Sequence, residues 1–205
     1  MAPSRDGTNQ TTFTSGTRNP TALAFHPQTG ELWAVVQERD GLGDNLPSDY
    51  LIRVPEGKHP QPGFANRAPE KVDKSITPDL LFEAHSSVLD LVFYDADQFP
   101  ADYHGDAFVA LKGSWNRSEP TGYKVVRVPI KDGKPEGYYE NFLTGFWASG
   151  ERRAEVWGRP RSSRSDQGRL SPRCRRHRRD HLARDLYGRR PKHAPNALAR
   201  RAAYR

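Results

Sequence analysis

Cysteine and methionine are nearly absent from this 205-residue chain, one of each. A single Cys174 excludes an intramolecular disulfide and a cysteine metal cluster. Long apolar runs are also missing, so no stretch reaches membrane-spanning length. The opening MAPSRDGTNQ has no apolar core, so no signal peptide is predicted there. As written, the chain is expected in the cytoplasm unless its true N-terminus lies further upstream. No helical stripe of useful length occurs before Pro160.

The apolar residues are unevenly spread. Residues 161–205 contain no Val, Ile, Phe, Trp or Met. They carry 15 of the 32 Lys+Arg and 3 of the 25 Asp+Glu, a formal +12. Residues 1–160 are therefore at −5, although the whole chain is at +7. Such a tail cannot bury enough apolar surface to offset its chain entropy, so it is predicted to be disordered or weakly structured. Two segments follow: 1–160, able to form a core, and 161–205, rich in arginine.

The first segment reads as short strands punctuated by turns. Ala22 to Phe25, Leu32 to Val36 and Asp49 to Pro55 are predicted strands. So are Val88 to Tyr94, Ala107 to Leu111, Tyr123 to Pro129 and Tyr138 to Phe142. Four such strands in about 55 residues match one propeller blade. A β-sandwich has the same ingredients. The pattern predicts an all-β fold and leaves these two architectures open.

Four blocks carry a resemblance: RNPTALAFHPQTGELWAVVQERDGLGD (Arg18 to Asp44), AHSSVLDLVFY (Ala84 to Tyr94), GDAFVALKGSWNRSEPTGYKVVRVP (Gly105 to Pro129) and VWGRP (Val156 to Pro160). Together they resemble the PQQ-dependent sugar dehydrogenases of the sorbosone/glucose dehydrogenase family, and the sorbosone-dehydrogenase-like branch above all. The resemblance implies a six-bladed β-propeller, present here in part. It implies oxidation of a sugar or aldose, a separate electron acceptor, and a periplasmic or secreted setting. The cofactor carries the redox chemistry, while the protein supplies orientation and charge. A trianionic quinone needs cations at its carboxylates and donors at its carbonyls.

Matched positions supply such groups. The resemblance assigns Arg18, Asn19, Lys112 and Arg159 to the quinone, with His85 along its edge. The carboxylate- and glycine-rich ERDGLGDN (Glu38 to Asn45) sits where the resemblance implies calcium, with Asp40 and Gly41 the matching residues. Its spacing is not that of an EF-hand. Taken singly, each residue has a plainer reading. Arg18 and Asn19 precede a proline and could shape a turn. Lys112 could be an ordinary strand-end lysine, Arg159 a structural arginine stacked beside Trp157, and His85 a buried structural histidine. Glu38 to Asn45 could be a solvated acidic turn.

The chain also departs from the pattern. The family's histidine base lies in an earlier blade that no residue before Thr17 supplies, so no catalytic residue is assigned. After DYLIRVPEG the family continues into an aromatic strand, whereas Gly57 here runs into KHPQPGFA. A six-bladed ring needs about 240 residues or more. After Pro160 the resemblance stops, yet the possible codons of the tail, read one base later, permit Gly-Val-Ala-Val-Ala from Arg161, Lys-Asp-Gly from Gln167 and Ser-Leu-Leu-Val-Ala-Asp-Asp from Leu170. These are the expected strand, turn and strand of a last blade, so the tail reads as frameshifted. The rival is a non-catalytic propeller remnant with a basic tail. RCRRHRR (Arg173 to Arg179) would hold nucleic acid through its phosphates, but lacks interleaved aromatics and a recognisable module. No selected nucleic-acid partner is expected.

Overall fold

The computed structural model describes residues 8, 10–56, 59–60, 75–166 and 169–176. Its strands, in chain order, are β1 (Asn19–Phe25), β2 (Leu32–Gln37), β3 (Tyr50–Arg53), β4 (His59–Pro60), β5 (Ser75–Ile76), β6 (Leu80–Leu81), β7 (Val88–Phe93) and β8 (Ala107–Leu111). They continue with β9 (Lys124–Val128), β10 (Ile130–Lys131), β11 (Lys134–Pro135), β12 (Glu140–Leu143), β13 (Trp147–Ser149), β14 (Glu155–Val156), β15 (Gly158–Asp166) and β16 (Arg169–Arg176). Among the described residues the helical structure is a single 3-10 turn, Ala101–Tyr103.

Two four-stranded sheets dominate, ordered β1-β2-β3-β6 and β7-β8-β9-β12. Every neighbouring pair in them is antiparallel. Each sheet is a meander that begins at one edge and finishes at the other, as a propeller blade does. β1 and β15 both pack against β7, so the first strands of three successive units lie together. The described sheets are open, and none closes on itself.

Strand alternation explains the packing. Trp33, Val35 and Leu51 turn one face of the first sheet toward the second. Val88, Leu91, Phe93, Val109, Val126 and Val128 meet them, forming the main core. On its far side the second sheet buries Phe108 and Val125 under the chain that carries Tyr94, Ala96, Phe99 and Tyr103. β8 is the middle of this stack, and all five of its residues are buried.

The predicted strands of residues 22–142 are found with end shifts of a few residues, β12 starting two later than expected. The expectation of a disordered or weakly structured tail is changed for residues 161–166 and 169–176 alone. The chain does not lose its structure at Pro160: β15 runs through it to Asp166 and pairs with β16 as an antiparallel hairpin. Backbone pairing supplies the bonds, in a register that runs from Gly158↔Arg176 to Asp166↔Arg169. Residues 177–205 lie outside the described residues.

Candidate functional site

Antiparallel meanders bring alternate strand ends to the same side. The starts of β1, β3, β7, β9 and β15 and the ends of β2 and β8 share one end of the structure. Asn19 opposite Gln37, Val36 opposite Tyr50 and Leu111 opposite Lys124 show this register. Every residue singled out as a site candidate lies at this end.

Two loops and a tight turn form its surface: residues 38–49, residues 112–123 and His85-Ser86-Ser87. Asp49 joins the first loop to the turn. Its carboxylate accepts Glu38 N–H at 2.9 Å and Ser87 N–H at 2.7 Å. Asp49 is buried, and that burial pushes its carboxyl above the usual range, against the pull of the backbone donors. Burial likewise raises Glu38. Its Oε2 has no hydrogen-bond partner among the described residues.

His85 and Ser87 have φ of 65° and 60°. Non-glycine residues seldom hold this conformation unless surrounding bonds impose it, and it concentrates at functional sites. The surrounding bonds include Lys112 N–H to Ser87 O and Gly113 N–H to Ser86 O, both at 3.0 Å. Two glycines make this approach possible. A Cβ on Gly113 would overlap the Tyr123 ring, and one on Gly122 would lie 2.7 Å from Gly113 Cα.

The candidates fare differently. Arg18 is exposed and donates to Glu38 O at 2.7 Å. Asn19 donates weakly to Gln37 Oε1 at 3.4 Å. Arg159 donates to Lys112 O and Gly113 O and lies over the Tyr123 ring. The expected neighbour, Trp157, instead stacks on Phe146. Lys112 is half-buried, and its ammonium has no ion-pair or hydrogen-bond partner among the described residues. Arg159 and Lys112 thus meet through the Lys112 backbone, and Arg18 lies just before β1, bonded to Glu38 O.

His85 is buried with both nitrogens engaged. Nε2 is 2.8 Å from Gly43 O, and Nδ1 is 3.2 Å from Asn116 Nδ2. These contacts assign Nε2 as the donor and Nδ1 as the acceptor. Asn116 also donates to Asp40 Oδ1 at 2.7 Å. Asp40 therefore ties the two loops together through Oδ1, while its carboxylate stays partly exposed. Among the described residues no three His, Cys, Asp or Glu side chains gather as a metal set. The described side chains around Asp40 and Gly41 do not form a calcium cage.

For the quinone the residues do fit. A half-buried Lys112 ammonium, unpartnered among the described residues, with the Arg159 guanidinium on its backbone carbonyl, suits a polyanion. Asp49, Asn116, Arg117 and Trp115 were not singled out in the sequence. For the last three, the density of polar and turn residues in GSWNRSEPTGY was the available signal, and nothing comparable marks Asp49.

Residues 65–143 match the TrAA12-like family. An uncharacterized protein of Borreliella burgdorferi is 37% identical over 145 residues, 64% of this chain and 38% of its own length. The pyrroloquinoline quinone-dependent pyranose dehydrogenase of Coprinopsis cinerea is 42% identical over 55 residues, 27% of this chain and 7% of its own length. Among solved structures, the Trichoderma reesei carbohydrate-active enzyme of family AA12 superposes with a TM-score of 0.62 at 19% identity, over 78% of this chain and 51% of that one. The PQQ domain of the Coprinopsis cinerea pyranose dehydrogenase gives 0.57 at 18%, over 78% and 52%. The Escherichia coli soluble aldose sugar dehydrogenase gives 0.51 at 17%, over 79% and 43%. The chain spans about half the length of the solved domains and less of the curated relatives. It shares the all-β, propeller-type fold of PQQ-dependent sugar dehydrogenase domains.

Proposed function

We propose that this chain is part of a quinoprotein sugar dehydrogenase of the sorbosone/glucose type, with the end that carries Lys112 as its PQQ site. The observation that carries the reading is the half-buried Lys112 ammonium, unpartnered among the described residues, with Arg159 bonded to its backbone. Arg18 precedes β1 and Asn19 opens it at the same end. The quinone supplies the two-electron acceptor when bound. Lys112, Arg18 and Arg159 hold its carboxylates, and Asn19 donates to an oxygen. The Arg159 bonds to Lys112 O and Gly113 O fix the strand end from which Lys112 projects. His85 orients the residue 38–49 loop through Gly43 and, with both nitrogens occupied, is not assigned as the proton-accepting base. That base is assigned to residues beyond those described.

The sugar is of aldose class, and the setting is periplasmic or extracellular. Calcium belongs to this reading only through main-chain oxygens of the residue 38–45 loop. Residues 161–205 are read as a last blade out of frame, a reading that the antiparallel pairing of β15 with β16 supports. Resequencing the gene tests that directly: an unchanged frame after Pro160 rejects it.

Titrating the full chain with PQQ, followed by its absorbance, tests the site. Lys112→Ala and Arg18→Ala should each weaken binding by about tenfold or more, as loss of one charge-assisted bond does. Unchanged affinity in both variants rejects the assignment.

A further inference from the structure

Tyr123 is held in a conformation that its neighbours impose. It immediately precedes β9, with φ of 55°, and it is 3% exposed. A bulky non-glycine residue adopts the left-handed region at a cost, so surrounding contacts must hold it there. Its hydroxyl donates to Ser114 O. Ser114 N–H donates to Thr121 O at 2.9 Å, and Thr121 N–H returns to Ser114 Oγ at 2.9 Å. The ring lies against the backbone of Gly113, where a Cβ would fall 2.3 Å from ring carbon Cδ1. Trp147 packs beside it, with ring centroids 6.1 Å apart.

The half-buried Arg159 guanidinium lies over this ring, its Cζ 4.9 Å from the centroid. Nη1 donates to Lys112 O at 3.3 Å and to Gly113 O at 3.1 Å. Those bonds occupy both Nη1 hydrogens. Nε–H and Nη2 have no hydrogen-bond or ion-pair partner among the described residues. Nε–H and one Nη2–H run parallel, and that fork matches the oxygens of a carboxylate. Arg127 is the contrast. Its Cζ is 3.8 Å from the Tyr103 centroid, but its Nε, Nη1 and Nη2 are all engaged, with Asp106, Glu140 and Asp102 O. The stacked Arg127 is fully used within the fold, whereas the stacked Arg159 keeps its fork open.

Two carbonyls and a π face therefore fix Arg159 in advance of any ligand. A cation ordered beforehand loses less side-chain freedom on binding, so more of each bond appears as affinity. We propose that Tyr123 is a positioning residue for Arg159, holding its Nε–Nη2 fork open for a carboxylate, which on the reading above is one of the quinone's. Tyr123 acts through Arg159, and the inference rests on that quinone reading.

The test uses the full 205-residue chain carrying isotope-labelled arginine. It is titrated with PQQ by absorbance and with phthalate, an aromatic dicarboxylate, by the NMR signal of Arg159 Nε–H. In the parent that signal should be displaced by the Tyr123 ring current and should move again with either probe. Tyr123→Leu, which removes the π face, should weaken PQQ binding about tenfold, while Tyr123→Phe, which keeps it, should stay within about threefold. Arg159→Ala should weaken binding about tenfold as well. Adding Tyr123→Leu to Arg159→Ala should then change affinity by less than about twofold, because a residue acting through the arginine has nothing left to act on. Multiplied losses in the double variant, no loss in Tyr123→Leu, or an equal loss in Tyr123→Phe would overturn the inference. If Tyr123→Leu does not fold, the parent and Tyr123→Phe decide: an Arg159 signal without ring-current displacement, or one that PQQ binding leaves unmoved, overturns it. A chain that binds phthalate at Arg159 but not PQQ overturns the quinone reading and supports the positioning role. A chain that binds neither overturns both.

Discussion

At the scale of single residues, Asp49 carries the greatest structural consequence at the site end. One carboxylate holds the residue 38–49 loop and the strained His85–Ser87 turn together. Asp49→Asn keeps the shape but sets an amide donor against one of two backbone donors. It should cost about 1–3 kcal/mol, read from chemical denaturation. The pH dependence follows from the direction of the shift. Asp49 and Glu38 both have folded values raised by burial, from 3.8 and 4.5. In the window above those values the folded state binds more protons than the unfolded one. Stability from these groups is therefore full below the unfolded values and falls as pH rises through the folded ones. The melting temperature of Asp49→Asn should vary less across that window than the parent's, and an equal slope would reject the role of Asp49 in it. Gly122 offers a steric test. With φ of 84° and a would-be Cβ 2.9 Å from Ser86 O, Gly122→Ala should cost about 2 kcal/mol or more. Gly137→Ala, also at positive φ but facing open space, should cost only about 1 kcal/mol.

At the scale of elements, β8 sets the stability of the second sheet. It lies between β7 and β9 and buries Val109 and Leu111 on one face and Phe108 on the other. Phe108→Ala should lose about 3–5 kcal/mol, measured by the denaturation midpoint at constant slope. The longer strands β1, β2, β3, β7, β8, β9 and β12 were legible because turn residues and apolar alternation agree there: Gly30, Gly113, Gly122 and Asp132-Gly133 punctuate what Trp33, Val35, Val109 and Val126 fill, whereas the two-residue β4, β5, β6, β10 and β11 are too short to show a period. β15 and β16 were not legible past Pro160, because their residues lack the apolar alternation from which strands are recognised. Their pairing rests on backbone hydrogen bonds, which carry no side-chain signature.

At the scale of the whole molecule, the exposed edge matters. Leu23 and Phe25 are 62% and 69% exposed on β1, whose other face packs on the core through Ala22 and Ala24. A row of apolar side chains along an edge strand invites association. Replacing both, Leu23→Lys with Phe25→Lys, should reduce light scattering at a given concentration without lowering the denaturation midpoint. Unchanged scattering would place the association elsewhere.

The amino-acid sequence by itself determined the β class, the seven longer strands between residues 19 and 143 and the residue types suited to an anionic cofactor. Local periodicity and turn chemistry act over a few residues and need no distant partner. Only the tertiary structure decided which of those residues meet. It set Arg159 on the Tyr123 ring instead of beside Trp157. It occupied both nitrogens of His85, turned Asp40 into a tie for Asn116, and left Lys112 and Trp115 without partners among the described residues. Such outcomes depend on contacts between loops far apart in the chain. Asn116 reaches back 76 residues to Asp40, and that distance leaves no periodicity to read.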